Sequence, residues 1–248
     1  MKKSIGILIV TVLTTSMAVS QTTIDLTWFG QATFLMKTGD GVKVLIDPVN
    51  PGMMKVEIPD IIDLVTVSHE HGDHNYVEMA KGNPVVIHGL EGDGYADVDQ
   101  LVKGIHIRTV GTFHDNQEGS QRGRNAIFIF ELPGLNVVHL GDLGHVLSDS
   151  QVAAIGKADI IMIPVGAGPT IDLAGALEVI SQLKPKVVIP MHYMPADTPE
   201  GGFRLGSVED FIKAVGTAYE VKYSGHTITL TAGELPAKTT ITVMTRTE

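Results

Sequence analysis

The chain has 248 residues, 44% of them hydrophobic and 19% charged, which is the composition of a globular protein rather than of a disordered segment. A formal net charge of −10 and an aromatic content of 5% argue against a nucleic-acid partner, since phosphate backbones are gripped by Lys and Arg and unpaired bases are stacked on aromatic rings. Cysteine is absent, which excludes disulfides, thiolate metal ligands and a cysteine nucleophile, so a metal bound here is held by His and carboxylates.

The first twenty residues read as a signal peptide. Lys2 and Lys3 form a positive start, Ile5 to Leu13 an apolar run, and Ala18-Val19-Ser20 supplies small residues where signal peptidase cuts. Cleavage is expected after Ser20, giving an exported protein, periplasmic or extracellular. The apolar run falls well short of the ~20 residues that a membrane span needs, and no later stretch reaches that length.

Residues 21–248 read as a single domain. Ile24 to Trp28 alternates with period two, as a half-buried strand does. Further strands are expected at Val42 to Ile46, Leu64 to Val67, Val85 to Ile87, Ile105 to Val110, Ala126 to Phe130, Asn136 to Leu140, Ile160 to Val165 and Val187 to Ile189. Glu220 to Tyr223, Thr227 to Leu230 and Thr240 to Met244 read as an antiparallel finish. Helices are expected at Asn75 to Lys81, Ser148 to Ile155, Asp172 to Leu183 (capped by Asp172 and ended before Pro185) and Ser207 to Val215. Glu91 to Asp99, rich in Gly and Asp, reads as a surface loop. Many short strands with few helices imply two packed sheets with helices outside.

The chemistry concentrates in Thr66-Val67-Ser68-His69-Glu70-His71-Gly72-Asp73-His74-Asn75, at the end of an apolar strand. Residues i and i+2 of an extended segment point the same way, so His69 and His71 can converge. Gly72 permits a sharp turn that carries Asp73 and His74 towards a second position beside the first. A purely surface role is a poor account of three clustered histidines, which repel one another when protonated and add no core packing.

This segment resembles the metal-binding loop of the metallo-β-lactamase superfamily, and the phrases His139-Leu140-Gly141-Asp142-Leu143-Gly144-His145 and Ile189-Pro190-Met191-His192-Tyr193 resemble its ascorbate-phosphate lactonase-like branch of metal-dependent hydrolases. The resemblance implies an α/β (α+β) fold, a four-layer αββα sandwich. It carries over one metal position at His69, His71 and His114 and another at Asp73, His74 and His192, with Asp142 between them. It further implies two divalent cations, Zn2+ foremost with Mn2+ or Fe2+ as alternatives. The reaction implied is hydrolysis of an ester, lactone or phosphodiester of a small molecule by a hydroxide activated between the metals, with Asp73 orienting it. Readings within the same fold are a phospholipase-like phosphodiesterase, an oxygenase at a single iron and a metal-binding protein without catalysis.

The remaining candidates keep alternatives. His139 rivals His114 as a ligand, or sits within its strand as a core residue. Asp47 either supports the histidine loop or only ends its strand. His145 is a candidate general acid or an exposed loop residue. Arg122 and Arg124, in a loop after His114, are candidates to clamp a carboxylate or phosphate, or are solvated charges. Glu70 is expected to point away from the metals, and His88, His106 and His226 to be structural or surface residues. A homo-oligomer is left open.

Overall fold

The computed structural model describes residues 21–194 and 205–247, and the expected signal peptide lies outside them. In chain order the first strands are β1 (Thr23–Gly30), β2 (Thr33–Thr38), β3 (Lys43–Ile46), β4 (Leu64–Val67), β5 (Val85–His88), β6 (Leu90–Glu91), β7 (Gly94–Tyr95) and β8 (Asp99–Val102). There follow β9 (Ile105–Phe113), β10 (Arg124–Leu132), β11 (Leu135–His139), helix α1 (Asp149–Ile155), β12 (Ile160–Pro164), α2 (Leu173–Leu183) and β13 (Val187–Met191). The described chain closes with α3 (Val208–Val215), β14 (Glu220–Ser224), β15 (Thr227–Thr231) and β16 (Thr240–Met244). None of these helices is long and apolar enough to cross a membrane.

Two sheets form the body, a six-stranded one in the order β15-β1-β2-β3-β4-β5 and an eight-stranded one in the order β14-β16-β13-β12-β11-β10-β9-β8. Their facing sides merge into one buried cluster that takes Phe34, Met36, Val44, Ile46 and Leu64 from the first sheet and Phe128, Phe130, Val137 and Ile161 from the second. The alternate residues Leu35, Leu45, Val65 and Val67 point to the opposite face of the six-stranded sheet, as the two-residue period requires. There they pack with Ile58 and Ile62 of the β3–β4 connection and with Val77 and Met79.

Helix α2 buries Ala176, Val179, Ile180 and Leu183, one stripe at helical spacing. Asp172 caps it by accepting from the Gly175 N–H at 2.7 Å. Ser148 and Gln151 form a reciprocal capping box at α1, whose last carbonyls, on Ala154 and Ile155, accept from the Arg108 guanidinium of β9.

Three sequence expectations change, and one strand is added to them. The segment Asn75 to Lys81 forms only a 3-10 turn over Val77–Met79. So short a stretch gains too few helical bonds to offset nucleation, and Tyr76 N–H donates instead to Pro48 O. The C-terminal strands are not one antiparallel unit: β14 and β16 pair in parallel, whereas β15 crosses to the other sheet and pairs antiparallel with β1. The Glu91 to Asp99 stretch contains all of the small β6–β7 hairpin except Leu90. Strand β2 went unread because it is buried on both faces, so its apolar residues do not alternate with polar ones.

Candidate metal centre

Strands β3, β4, β9, β11 and β13 all end at the same edge of the sandwich, and the candidate residues follow those ends. Asp47 follows β3, the His69–His74 loop follows β4, His114 follows β9, Asp142 lies just past β11, and His192 follows β13. Parallel pairing of β3 with β4, and of β11 through β12 to β13, is what brings these C-terminal ends together.

The seven predicted ligands meet there in two groups. His69, His71 and His114 form one, and Asp73, His74, Asp142 and His192 the other, with the donor atoms of each group within 4.8 Å of one another. Asp142 occupies the middle. Its Oδ2 lies 3.0 Å from His114 Nε2, 3.2 Å from His192 Nε2 and 3.8 Å from His69 Nε2, while its Oδ1 lies 3.2 Å from His74 Nε2. The carboxylate therefore spans both groups. All seven are buried except His71, which opens the cluster to solvent.

The charges divide the site. Burial pushes His69 well below the usual histidine range and also lowers His71. Burial works against protonation of His74 and His192 as well, but Asp142 beside them overrides it, raising His74 well above its ordinary value and His192 to about 9. Burial would raise Asp142 and Asp73, yet His192 and His74 hold both below the usual carboxylate range. The positive charge that Asp142 draws to His74 and His192 is of the kind a divalent cation would supply in place of protons.

A supporting layer fixes the geometry. Asp47 Oδ2 lies 2.8 Å from His74 Nδ1, and the same carboxylate accepts from the Ser68 N–H and hydroxyl. Ser68 Oγ in turn lies 3.0 Å from His69 Nδ1. Gln31 Nε2 donates to Asp73 Oδ2 at 2.9 Å, and Gln31 O accepts from the His192 N–H. Asn125 Oδ1 accepts from the Asp142 N–H, while its amide donates to Leu140 O and Thr112 Oγ1. Gln31, Asp47 and His192 all have positive φ, between 45° and 52°, a strained backbone of the kind that gathers at functional sites. Sequence patterns assign Gln31, Ser68 and Asn125 no role of their own. Ser68 stands beside His69 in the histidine segment, whereas Gln31 and Asn125 lie outside the His/Asp pattern and only the fold brings them to it.

The other candidates separate. His139 donates from Nε2 to Ala32 O and accepts at Nδ1 from the Gly141 N–H, so it is a core residue of β11 rather than a ligand. His145 accepts at Nε2 from the Phe113 N–H, and its Nδ1 donates to Val146 O. Both ring nitrogens are engaged by backbone, which suits a fixed wall better than the expected general acid. Arg124 stacks over the Tyr95 ring, 5.6 Å from its centroid, whereas Arg122 borders a cavity with His145. The Glu70 carboxylate turns away from the cluster to His88 Nδ1 and the Asn75 amide, as expected.

The family model of the Beta-lactamase superfamily domain matches residues 25–192, a span that holds every candidate ligand. The chain belongs to the metallo-β-lactamase superfamily. Within that superfamily it is 32% identical over 214 residues to a protein of Archaeoglobus fulgidus named a UPF0173 metal-dependent hydrolase, covering 77% of this chain and 90% of the relative. It is 36% identical to a Thermotoga maritima protein whose crystal structure is assigned as a Zn-dependent hydrolase of the metallo-β-lactamase superfamily, with a TM-score of 0.68 over 89% of this chain and 98% of that one. A metallo hydrolase from Ignicoccus hospitalis, 24% identical, shares the fold with a TM-score of 0.61 over 84% of this chain and 98% of its own.

Proposed function

We propose that the protein is a metal-dependent hydrolase that holds two divalent cations, zinc foremost, and cleaves an ester, lactone or phosphodiester of a small molecule. The observation that carries this is the central Asp142 carboxylate, within 3.0–3.8 Å of four histidine Nε2 atoms drawn from both groups. The donor set fits such cations. Among the described residues, His74 Nε2, His192 Nε2 and Asp142 Oδ1 are buried and make no well-formed hydrogen bond, only charge contacts within the cluster, an arrangement that a bound cation would satisfy. All donors are imidazole or carboxylate, the combination that suits zinc and also manganese or iron.

In this reading His69, His71 and His114 would hold one cation and Asp73, His74 and His192 the other, with the Asp142 carboxylate between the two groups available to either. Two divalent cations so placed lower the pKa of water and polarise a carbonyl or phosphoryl oxygen. Asp73 has Oδ2 fixed by Gln31, which leaves Oδ1 to orient the attacking water. Substrate approaches on the side of His71, the solvent-facing member. The N-terminal pattern supports export of this hydrolase.

The test is metal analysis of the mature protein, with hydrolysis of a 4-nitrophenyl ester, a lactone and an aryl phosphodiester assayed alongside. About two equivalents of zinc, with hydrolysis of at least one substrate that falls about 10³-fold in Asp142→Ala, is the expected result. One equivalent of iron without hydrolysis would replace the proposal by the oxygenase reading, and no metal uptake would end it.

A further inference from the structure

We propose that the cavity bordered by Arg122, His145, Thr170 and Asp172 is a substrate site for a carboxylate or phosphate group, which Arg122 binds while the scissile bond lies at the metal centre. The link to the scissile bond rests on the hydrolase reading above, but anion binding by the cavity does not.

The cavity measures about 280 Å³. That is at the small end of ligand pockets, roughly 300–1,000 Å³, so it suits a substituent rather than a whole large molecule. It adjoins the metal cluster through the backbone. Gly144, in its wall, follows Asp142 by two residues and packs on the peptide after His114, where a Cβ would come within 2.2 Å of Asp115 N. The Gly144 N–H donates to Phe113 O, beside His114. The stretch of wall at Gly168 to Ile171, tied to the Asp142 loop by the Ile171 N–H to Leu143 O bond, continues from Gly166, whose N–H donates to His192 O.

The loop that carries Arg122 is fixed from within. The Asp115 carboxylate accepts four backbone N–H groups, from Gln117, Gly119, Gln121 and Arg122 itself, at 2.8–2.9 Å. Its charge is thereby satisfied locally. Asp172 is engaged at the start of α2 through Gly175 N–H. The Arg122 guanidinium, by contrast, has no partner among the described residues. An unpaired guanidinium, exposed on a loop whose backbone is fixed and set at a concave wall, matches the two-oxygen geometry of a carboxylate or phosphate. Asn116, Gln121 and Thr170 add neutral polar groups around it.

Two readouts test this on the zinc-loaded, full-length mature protein. The first is thermal stabilisation by succinate, by phenyl phosphate and, as a neutral control, by succinamide. Stabilisation by either anion but not by succinamide, lost in Arg122→Gln, partly kept in Arg122→Lys and kept in Arg124→Gln, supports the site; which anion acts tells carboxylate from phosphate. Equal stabilisation in wild type and Arg122→Gln, or none by either anion, overturns it. The second is the ratio of kcat/KM for 4-nitrophenyl hemisuccinate over 4-nitrophenyl acetate, or for a phosphate-bearing ester if phenyl phosphate is the probe that binds. A preference for the anionic ester that falls at least about tenfold in Arg122→Gln supports the presentation of substrate. An unchanged ratio overturns it. If no ester is hydrolysed although the anions stabilise through Arg122, the hydrolase reading fails and the anion site stands.

Discussion

Oδ2 of Asp47 lies 2.8 Å from Nδ1 of His74, the histidine whose Nε2 faces Asp142. The carboxylate fixes which nitrogen of His74 is turned inward, and its contacts to Ser68 extend the same control to His69. Asp47→Asn keeps a residue that tolerates the positive φ of this position but weakens the acceptor. Zinc affinity, measured by chelator competition, is expected to fall about 10- to 100-fold with the fold intact by circular dichroism. An unchanged affinity would reduce Asp47 to a strand-ending residue.

Gln31 supports the other half of the site. Its amide is the donor that holds Asp73 Oδ2, and Gln31→Leu removes it without changing the size of the side chain greatly. On the two-cation proposal, zinc at Asp73, His74 and His192 is expected to bind about tenfold more weakly, since hydrogen bonds to a charged group contribute roughly 1.5–3 kcal/mol. Zinc at His69, His71 and His114 would be affected less, so a two-step chelator titration distinguishes local loosening from general unfolding.

The contrast between Asp47 and Gln31 shows what could be read in the sequence. Each predicted ligand is a His or Asp just past an apolar run, but that placement alone left His139 beside His114, and it was the resemblance to the metallo-β-lactamase superfamily that singled out the seven that the fold brings together. Asp47 was visible through the same resemblance. Gln31 stands in a turn with no pattern around it and meets Asp73 across 42 positions. Asn125 begins a strand like many others, and its link to Asp142 N exists only because β10 lies beside β11. Strand partners were equally hidden. The strand character of β15 is local, but its pairing with β1 rather than with β14 is decided by the whole chain. The freedom of Arg122 and the engagement of Arg124 by Tyr95 likewise depend on contacts that two similar loop arginines do not announce.

Gly141 tests the packing behind Asp142. Its φ is +54°, and a Cβ there would lie 2.2 Å from Asn125 Oδ1 and 2.9 Å from Ser68 Oγ. Gly141→Ala meets the left-handed penalty of about 1–2 kcal/mol and overpacking of about 1–3 kcal/mol. A Tm decrease of roughly 5–15 °C is expected for a protein of this size. Because the clash falls on the side chain that holds the Asp142 N–H, metal content should drop as well. A variant with wild-type Tm would show that the turn after β11 can move aside.

His106 offers a pH-dependent test away from the metal centre. Its Nδ1 lies 2.6 Å from Glu131 on β10 and its Nε2 2.6 Å from Asp99 on the edge strand β8. The hydrogen bond to Asp99, then that to Glu131, raises its pKa above the ordinary value. A group raised in the folded state stabilises fully below its unfolded pKa, about 6.5, and loses that contribution as pH climbs through the folded value. The Tm advantage of wild type over His106→Gln should therefore be largest near about pH 5.5 and shrink towards about pH 8.5. Because His106 is only half-buried, the effect should be modest and should diminish in high salt. An advantage that grew with pH would mean that the neutral ring, packed between β8 and β10, is what stabilises this edge.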